Sequence, residues 1–426
     1  MQGLFGIASE RDCLDDLYSG TFALQSRGQL YGGLATYNGE RIKIRTHRGL
    51  FGITFKSDLD GMEGTLGIGV TSGVDRQPIY RDSRLGEYII GLDGYIMNSN
   101  ELRMSLSGQG ISFTTKDDVE IVACLIGKED TCEEGLEKAL KKVVGPCAIV
   151  MLTEHGIYAA RGISGFLPLA IGKKKGTWAV ASESCAFNGR TKLHKERDIA
   201  PGEIVKITSD GVKTLKKLEG KVNICSFQWI YFARPNSDID GTHVTDARHN
   251  LGRFLAEDDN ITADIVAPVP FSGIMHAEGY HIGSGLPLLQ VFLLPQYILR
   301  TYNLPIEMRK KEKNMKLEPI EPNVKGKSIV LIDDSIRAGI TMKGMVDDLF
   351  TAGAREVHVR IGSPVSTCYC PYDRRPVYEE EFIAAKNTIE EVRQFIGATT
   401  LGYQRLENVA KSIGKPESEL CLDCFK

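Results

Sequence analysis

Apolar positions in the first half of the chain fall into short runs broken by glycine and asparagine turns. Gly3–Ser9, Gly32–Tyr37, Arg41–Arg45, Thr65–Thr71, Tyr88–Leu92, Ala148–Thr153 and Trp178–Ala181 each have the length and composition of a strand, with helical stretches between them. To about Val205 the pattern predicts a layered α+β domain. The second half changes character. Ala263–Pro268 and Ser328–Ile332 read as strands buried on both faces and alternate with helical periodicity, as parallel βαβ units do. Residues 208–224 between the two halves are mostly charged and polar, which predicts a boundary there and two domains spanning 1–222 and 223–426. The chain shows no internal repeat.

The clearest βαβ unit starts with the strand Ser328–Ile332 and passes through Asp333, Asp334 and Ser335 into a helix from about Thr341. Met342, Met345, Val346, Leu349 and Phe350 form one apolar stripe at helical spacing, Gly353 ends the helix, and Glu356–Ile361 is the returning strand. Ligands of such sheets bind beyond the carboxyl ends of the strands, which places Asp333, Asp334 and the following loop at a candidate site for a phosphate-bearing molecule. The bland alternative for the two acids is a cap or turn at the strand end.

The 426 residues are too many for one ordinary core, in keeping with two domains. Hydrophobic residues make up 42%, charged residues 25%, and the net charge is -3, a balance that suits a globular protein and implies no nucleic-acid partner. No apolar run approaches the ~18 residues that span a bilayer, and the N-terminus has no signal-like segment, so no membrane association and a cytoplasmic location are expected. Ten cysteines do not suggest a disulfide framework. Most, such as Cys124 and Cys147, lie in apolar segments as small hydrophobes, whereas Cys421 and Cys424 have the spacing of a metal-binding pair.

Val330-Leu331-Ile332-Asp333-Asp334-Ser335-Ile336 resembles the phosphoribosylpyrophosphate motif of type I phosphoribosyltransferases. Gly3-Leu4-Phe5-Gly6-Ile7, Ser26-Arg27-Gly28-Gln29, Ala181–Phe187, Pro201-Gly202-Glu203, Ile230–Pro235 and Glu356–Arg360 match one family in the same order. Together they cover nearly the whole chain, which thus resembles the iron-sulfur type of glutamine phosphoribosylpyrophosphate amidotransferase. The resemblance implies an N-terminal nucleophile, class II glutaminase-like αββα sandwich, followed by a type I phosphoribosyltransferase-like α/β domain.

Set against that family, the chain departs where the chemistry is done. Gln2 stands at the position of the N-terminal nucleophilic cysteine, and a carboxamide has no thiolate with which to attack an amide. No catalytic residue is therefore assigned in this domain, and the glutaminase is expected to be inactive. Asp93-Gly94 replaces an Asn-Gly whose amide would stabilise an oxyanion, and a carboxylate there is expected to repel one. An arginine expected near Val70 to Ser72 is missing, and Leu167 replaces another. Asp118 keeps the residue that binds the substrate amino group in the family, although an isolated Asp is by default a solvated surface residue.

In the second domain the resemblance assigns phosphoribosyl and phosphate binding to Asp333, Asp334, Ser335, Gly339 and Thr341. Ala338 and Ile340 replace an arginine and a threonine, each a loss of roughly 1–3 kcal/mol to a bound phosphate, and Arg337 is the neighbouring cation that could compensate. Leu294-Pro295-Gln296-Tyr297 stands where a basic catalytic loop is expected, with Arg300 and Thr301 following as expected. Pro270-Phe271-Ser272 replaces Pro-Asp-Ser in the pyrophosphate loop.

The family's four cluster cysteines align with Cys225, Cys370, Cys421 and Cys424, which implies a 4Fe-4S cluster, with tetrahedral zinc as the other metal that four thiolates suit. Cys368 competes with Cys370, and the alignment favours Cys370. Three readings follow. The first is an amidophosphoribosyltransferase-like iron-sulfur protein, glutaminase-inactive, with a structural, redox or complex-forming role. The second is an ammonia-dependent phosphoribosyltransferase that uses phosphoribosylpyrophosphate with Mg²⁺, and the third is a nucleotide-binding regulator. The family implies a homo-oligomer, a place in a larger complex is also open, and a nucleotide or phosphosugar is the implied ligand.

Overall fold

The computed structural model describes residues 1–293, 317–373 and 382–425. Backbone contacts divide the chain into two units, one of residues 1–225, 232–243 and 418–421, the other of 226–231, 244–417 and 422–426.

In the first unit, strands run in the order 194–198, 170–174, 177–181, 2–9, 66–72, 31–37 and 42–48 in one sheet, antiparallel throughout. A second antiparallel sheet has the order 211–217, 203–208, 156–161, 147–153, 86–94 and 79–83. The two sheets face each other closely. Gly6 permits this, because a Cβ there would lie 2.8 Å from Val150 Cγ1 of the opposite sheet. Outside the first sheet, helix Leu14–Ala23 buries Leu17 against Phe5, Ile7 and Phe51. Outside the second, helices Asp118–Ile126 and Cys132–Lys142 pack on Tyr88, Ile90 and Leu92. The unit is an αββα sandwich, the class expected.

Gly211–Lys217, inside the stretch expected to be a linker, is instead an edge strand paired with Glu203–Thr208. Its residues are exposed or half-buried, so an edge position lets the strand be polar enough to read as linker.

The second unit is built on four parallel strands, ordered Ile265–Pro268, Ser328–Asp333, Glu356–Ile361 and Thr400–Tyr403. Their run of buried Ile, Val and Leu is what a sheet covered on both faces needs. Helix Ile274–Ser284 covers one face through Ala277 and Tyr280. Helices Ile340–Thr351 and Ile389–Ile396 cover the other, the first through Met342, Met345, Val346 and Leu349, while Phe350 lies exposed at the margin of its stripe. Parallel direction brings the carboxyl ends Pro268, Asp333, Ile361 and Tyr403 to one edge. Among the described residues, no helix is long and apolar enough to cross a membrane.

Candidate functional site

Strand pairing sets Gln2 opposite Ser72, and the residue is only 3% exposed. Its backbone is held at both polar atoms: the N–H donates to Asp93 Oδ1 (2.7 Å), and the carbonyl accepts from Arg27 Nε (3.0 Å). The side-chain Oε1 accepts from the Gly94 N–H at 3.3 Å. Arg27 Nη2 bonds Asp93 Oδ2 (3.0 Å), and its Nη1 bonds Glu183 Oε1 (2.7 Å), with all three side chains buried. Burial alone would lower the arginine's pKa, but the charges of Asp93 and Glu183 outweigh it and keep the guanidinium protonated. Glu183 Oε2 in turn accepts from the Arg234 N–H (2.9 Å) and Ser237 Oγ (2.8 Å).

Asp93 is therefore not the bare negative group expected, because Arg27 and the Gln2 N–H take up its two oxygens. Asp118 also departs from its default reading. It is buried, and its Oδ2 accepts from the Ile96 N–H at 3.1 Å. Arg27 and Glu183 lie in segments that the sequence singled out, but nothing in one dimension shows that residues 156 apart share a salt bridge.

At the carboxyl edge of the parallel sheet, Asp333 Oδ1 accepts from Ser272 Oγ (2.6 Å) and the Asp334 N–H (2.9 Å). Ser335 Oγ donates to Asp334 Oδ1 (2.5 Å). Burial pushes both carboxyl pKa values up, and for Asp333 the charge of Asp334 adds to it. Gly339 has φ of 73° and leads into helix Ile340–Thr351, with Thr341 exposed in its first turn, so Asp333, Asp334, Ser335, Gly339 and Thr341 lie along one strand–loop–helix passage. The Arg337 guanidinium sits 5.1 Å from the Phe382 ring centre, which gives this cation a partner other than a phosphate. Sequence reasoning missed Ser363, whose N–H donates to the Asp334 carbonyl (2.8 Å) and whose Oγ is buried without a partner. Leu294 to Tyr297, Arg300 and Thr301 lie outside the described residues.

The ten cysteines are thiols. Cys225 and Cys421 face each other in a short parallel ladder, a pairing that fits two thiolates of one metal site. Cys368 Sγ donates to the Asp423 carbonyl (3.1 Å), and the Thr367 N–H to the Cys424 carbonyl (3.3 Å), so segment 367–368 runs beside 423–424. Among the described residues, no group of three or more His, Cys, Asp or Glu is gathered closely enough to hold a metal ion. Among the described residues the four cysteines named from the sequence are therefore not drawn into one ligand set; only Cys225 and Cys421 are strand partners.

The profile of a glutamine amidotransferase domain family matches residues 65–189. The chain is 37% identical to the amidophosphoribosyltransferase of Methanocaldococcus jannaschii, over 100% of its own length and 96% of that protein's. It is 35% identical to the Bacillus subtilis enzyme, over 99% and 92% of the two chains. Among solved structures, glutamine phosphoribosylpyrophosphate amidotransferase from B. subtilis complexed with ADP and GMP superposes with a TM-score of 0.93 at 34% identity, covering 100% of this chain and 96% of that one. A second structure, of the allosteric regulatory enzyme of purine biosynthesis, gives 0.92 at 33% identity, covering 100% and 95%.

Proposed function

The chain belongs to the amidophosphoribosyltransferase family, and from that premise we propose that it is a member that does not hydrolyse glutamine. On this reading residues 1–222 form an inactive glutaminase-like domain, and residues 223–426 form a phosphoribosyltransferase-like domain that carries a 4Fe-4S cluster. The observation that carries it is the buried array of Gln2, Asp93, Arg27 and Glu183. Amide hydrolysis by an N-terminal nucleophile needs a thiolate or alkoxide and a free amine to take its proton. Gln2 offers neither group, since its nitrogen is a peptide N–H bound to Asp93 and its carboxamide rests on the Gly94 N–H. Incubation with glutamine should release no ammonia or glutamate; many turnovers of either product would end the proposal.

Cys225, Cys370, Cys421 and Cys424 would hold the cluster, which supplies electron transfer or a rigid cross-link where it is bound. Iron and acid-labile sulfide assays on natively purified protein test this, and the absence of both would remove the cluster from the reading. A structural, redox or complex-forming role in the cytoplasm, as a homo-oligomer, accounts for kept thiols beside a lost nucleophile.

A second reading is favoured by the acid pair and the loop after it, which remain at the carboxyl edge of the sheet. It is an ammonia-dependent transfer from phosphoribosylpyrophosphate, or binding of a nucleotide there as a regulator, since the B. subtilis relative was solved with ADP and GMP. Calorimetric titration with phosphoribosylpyrophosphate, Mg²⁺ and purine nucleotides separates these from the first. No heat and no thermal stabilisation would discard both.

A further inference from the structure

In the second unit, apolar side chains are presented to solvent beside the acid pair. Phe271 lies in the loop between strand Ile265–Pro268 and helix Ile274–Ser284, has φ of 68° and is 72% exposed. A bulky side chain at positive φ is rare and costs roughly 1–2 kcal/mol, and a ring held out in water recovers nothing through burial. Fold stability therefore gives no reason for a phenylalanine here.

The loop is fixed rather than loose. The Val269 N–H donates to the Ile332 carbonyl (2.8 Å), and the Gly273 N–H to the Val269 carbonyl (3.0 Å). Gly273 approaches the acid-bearing strand so closely that a Cβ would lie 2.1 Å from the Ile332 carbonyl oxygen. Ser272, next to Phe271, touches Asp333. Across the same edge, Ile340 is 70% exposed at the start of its helix. Ser363 holds Asp334 through its amide and keeps a buried, uncommitted hydroxyl.

We propose that Phe271, together with Ile340, sets the ligand class of this site: a sugar phosphomonoester is taken, and a sugar carrying a diphosphate ester is refused. The inference rests on the reading of this unit as a phosphoribosyl-type site. A diphosphate adds several negative charges that must be met by cations, a metal ion or many donors. An aromatic ring and a sec-butyl group supply none of these, and they strip water from whatever lies against them. A phosphomonoester asks less. The hydroxyls and amides of residues 335–341 can meet its phosphate, and its sugar diol can exchange hydrogen bonds with Asp333 and Asp334.

The test is calorimetric titration of the full chain with ribose 5-phosphate and with phosphoribosylpyrophosphate, each with and without Mg²⁺, on the natural protein and on Phe271→Asp. Aspartate tolerates positive φ better than phenylalanine, so the variant should fold. The natural protein is expected to bind ribose 5-phosphate more tightly than phosphoribosylpyrophosphate by roughly tenfold or more, with and without Mg²⁺. Phe271→Asp should shift the preference roughly tenfold toward phosphoribosylpyrophosphate in Mg²⁺. If the natural protein binds phosphoribosylpyrophosphate in Mg²⁺ as tightly as ribose 5-phosphate or more so, the site reading stands and this proposal fails. Binding of neither ligand at millimolar concentration overturns both, and an unchanged preference in Phe271→Asp removes Phe271 from the role.

Discussion

Arg27 shows how a charged side chain can be a fixed part of a core. A guanidinium between two buried carboxyl groups is stable only while its partners remain, because taking one away strands a charge in a medium that solvates it poorly. Arg27→Met should lower unfolding free energy by about 3–5 kcal/mol, and adding Asp93→Asn and Glu183→Gln should recover part of that loss, as read from denaturant midpoints. His276 is the opposite case. Its ring is buried with neither nitrogen hydrogen-bonded, and burial, then the charge of Arg248, lower its pKa from 6.5 to about 3. Between those values the unfolded chain binds a proton that the folded one refuses, so this group's contribution is present above pH 6.5 and is lost as pH falls toward 3. His276→Leu should flatten that acid limb and gain roughly 1 kcal/mol at neutral pH, since an unsatisfied buried polar group disappears. Urea titrations across the range check both effects.

The strand–loop–helix passage from Ser328 to Thr351 puts two carboxyl groups at one strand end, an arrangement that favours ligands over stability. Burial, and for Asp333 the neighbouring charge, raise the folded pKa above the ordinary 3.8, so the favourable contribution exists below 3.8 and is lost as pH rises through the folded value. Asp333→Asn keeps an acceptor for Ser272 and removes the charge. Its melting temperature should exceed that of the natural protein, by a margin that widens from pH 4 to pH 7; a constant or reversed margin would mean that the pair is not strained. The adjoining loop depends on one close approach. Gly273→Ala would force Ile332 and the loop apart and should abolish ribose 5-phosphate binding while leaving the helical circular dichroism unchanged. Element types were legible here because a fully buried strand, a polar turn and a helical stripe follow one another in the sequence. The polar edge strand Gly211–Lys217 was not, because its solvated faces carry no apolar alternation.

At the scale of the whole molecule, the expected outcome is about four irons and four sulfides per chain, with a broad visible absorbance that disappears on replacement of Cys421 or Cys424 by serine. Retention of iron in both variants would move the site elsewhere. The sequence by itself determined the kind of each layer, since strand and helix periods are local, and it determined that position 2 carries a carboxamide and not a thiol, since side-chain identity does not depend on folding. It also assigned the acid pair to a strand end by order alone. Tertiary structure decided what those residues do together. By sequence alone Asp93 is a repelling charge, whereas in the fold Arg27, 66 residues away, is bonded to it; Asp118 is by type a surface residue, whereas in the fold its carboxylate is buried on the Ile96 amide. The physical reason is that charge pairing and burial depend on distance in space, which a chain that folds back on itself sets independently of separation along it.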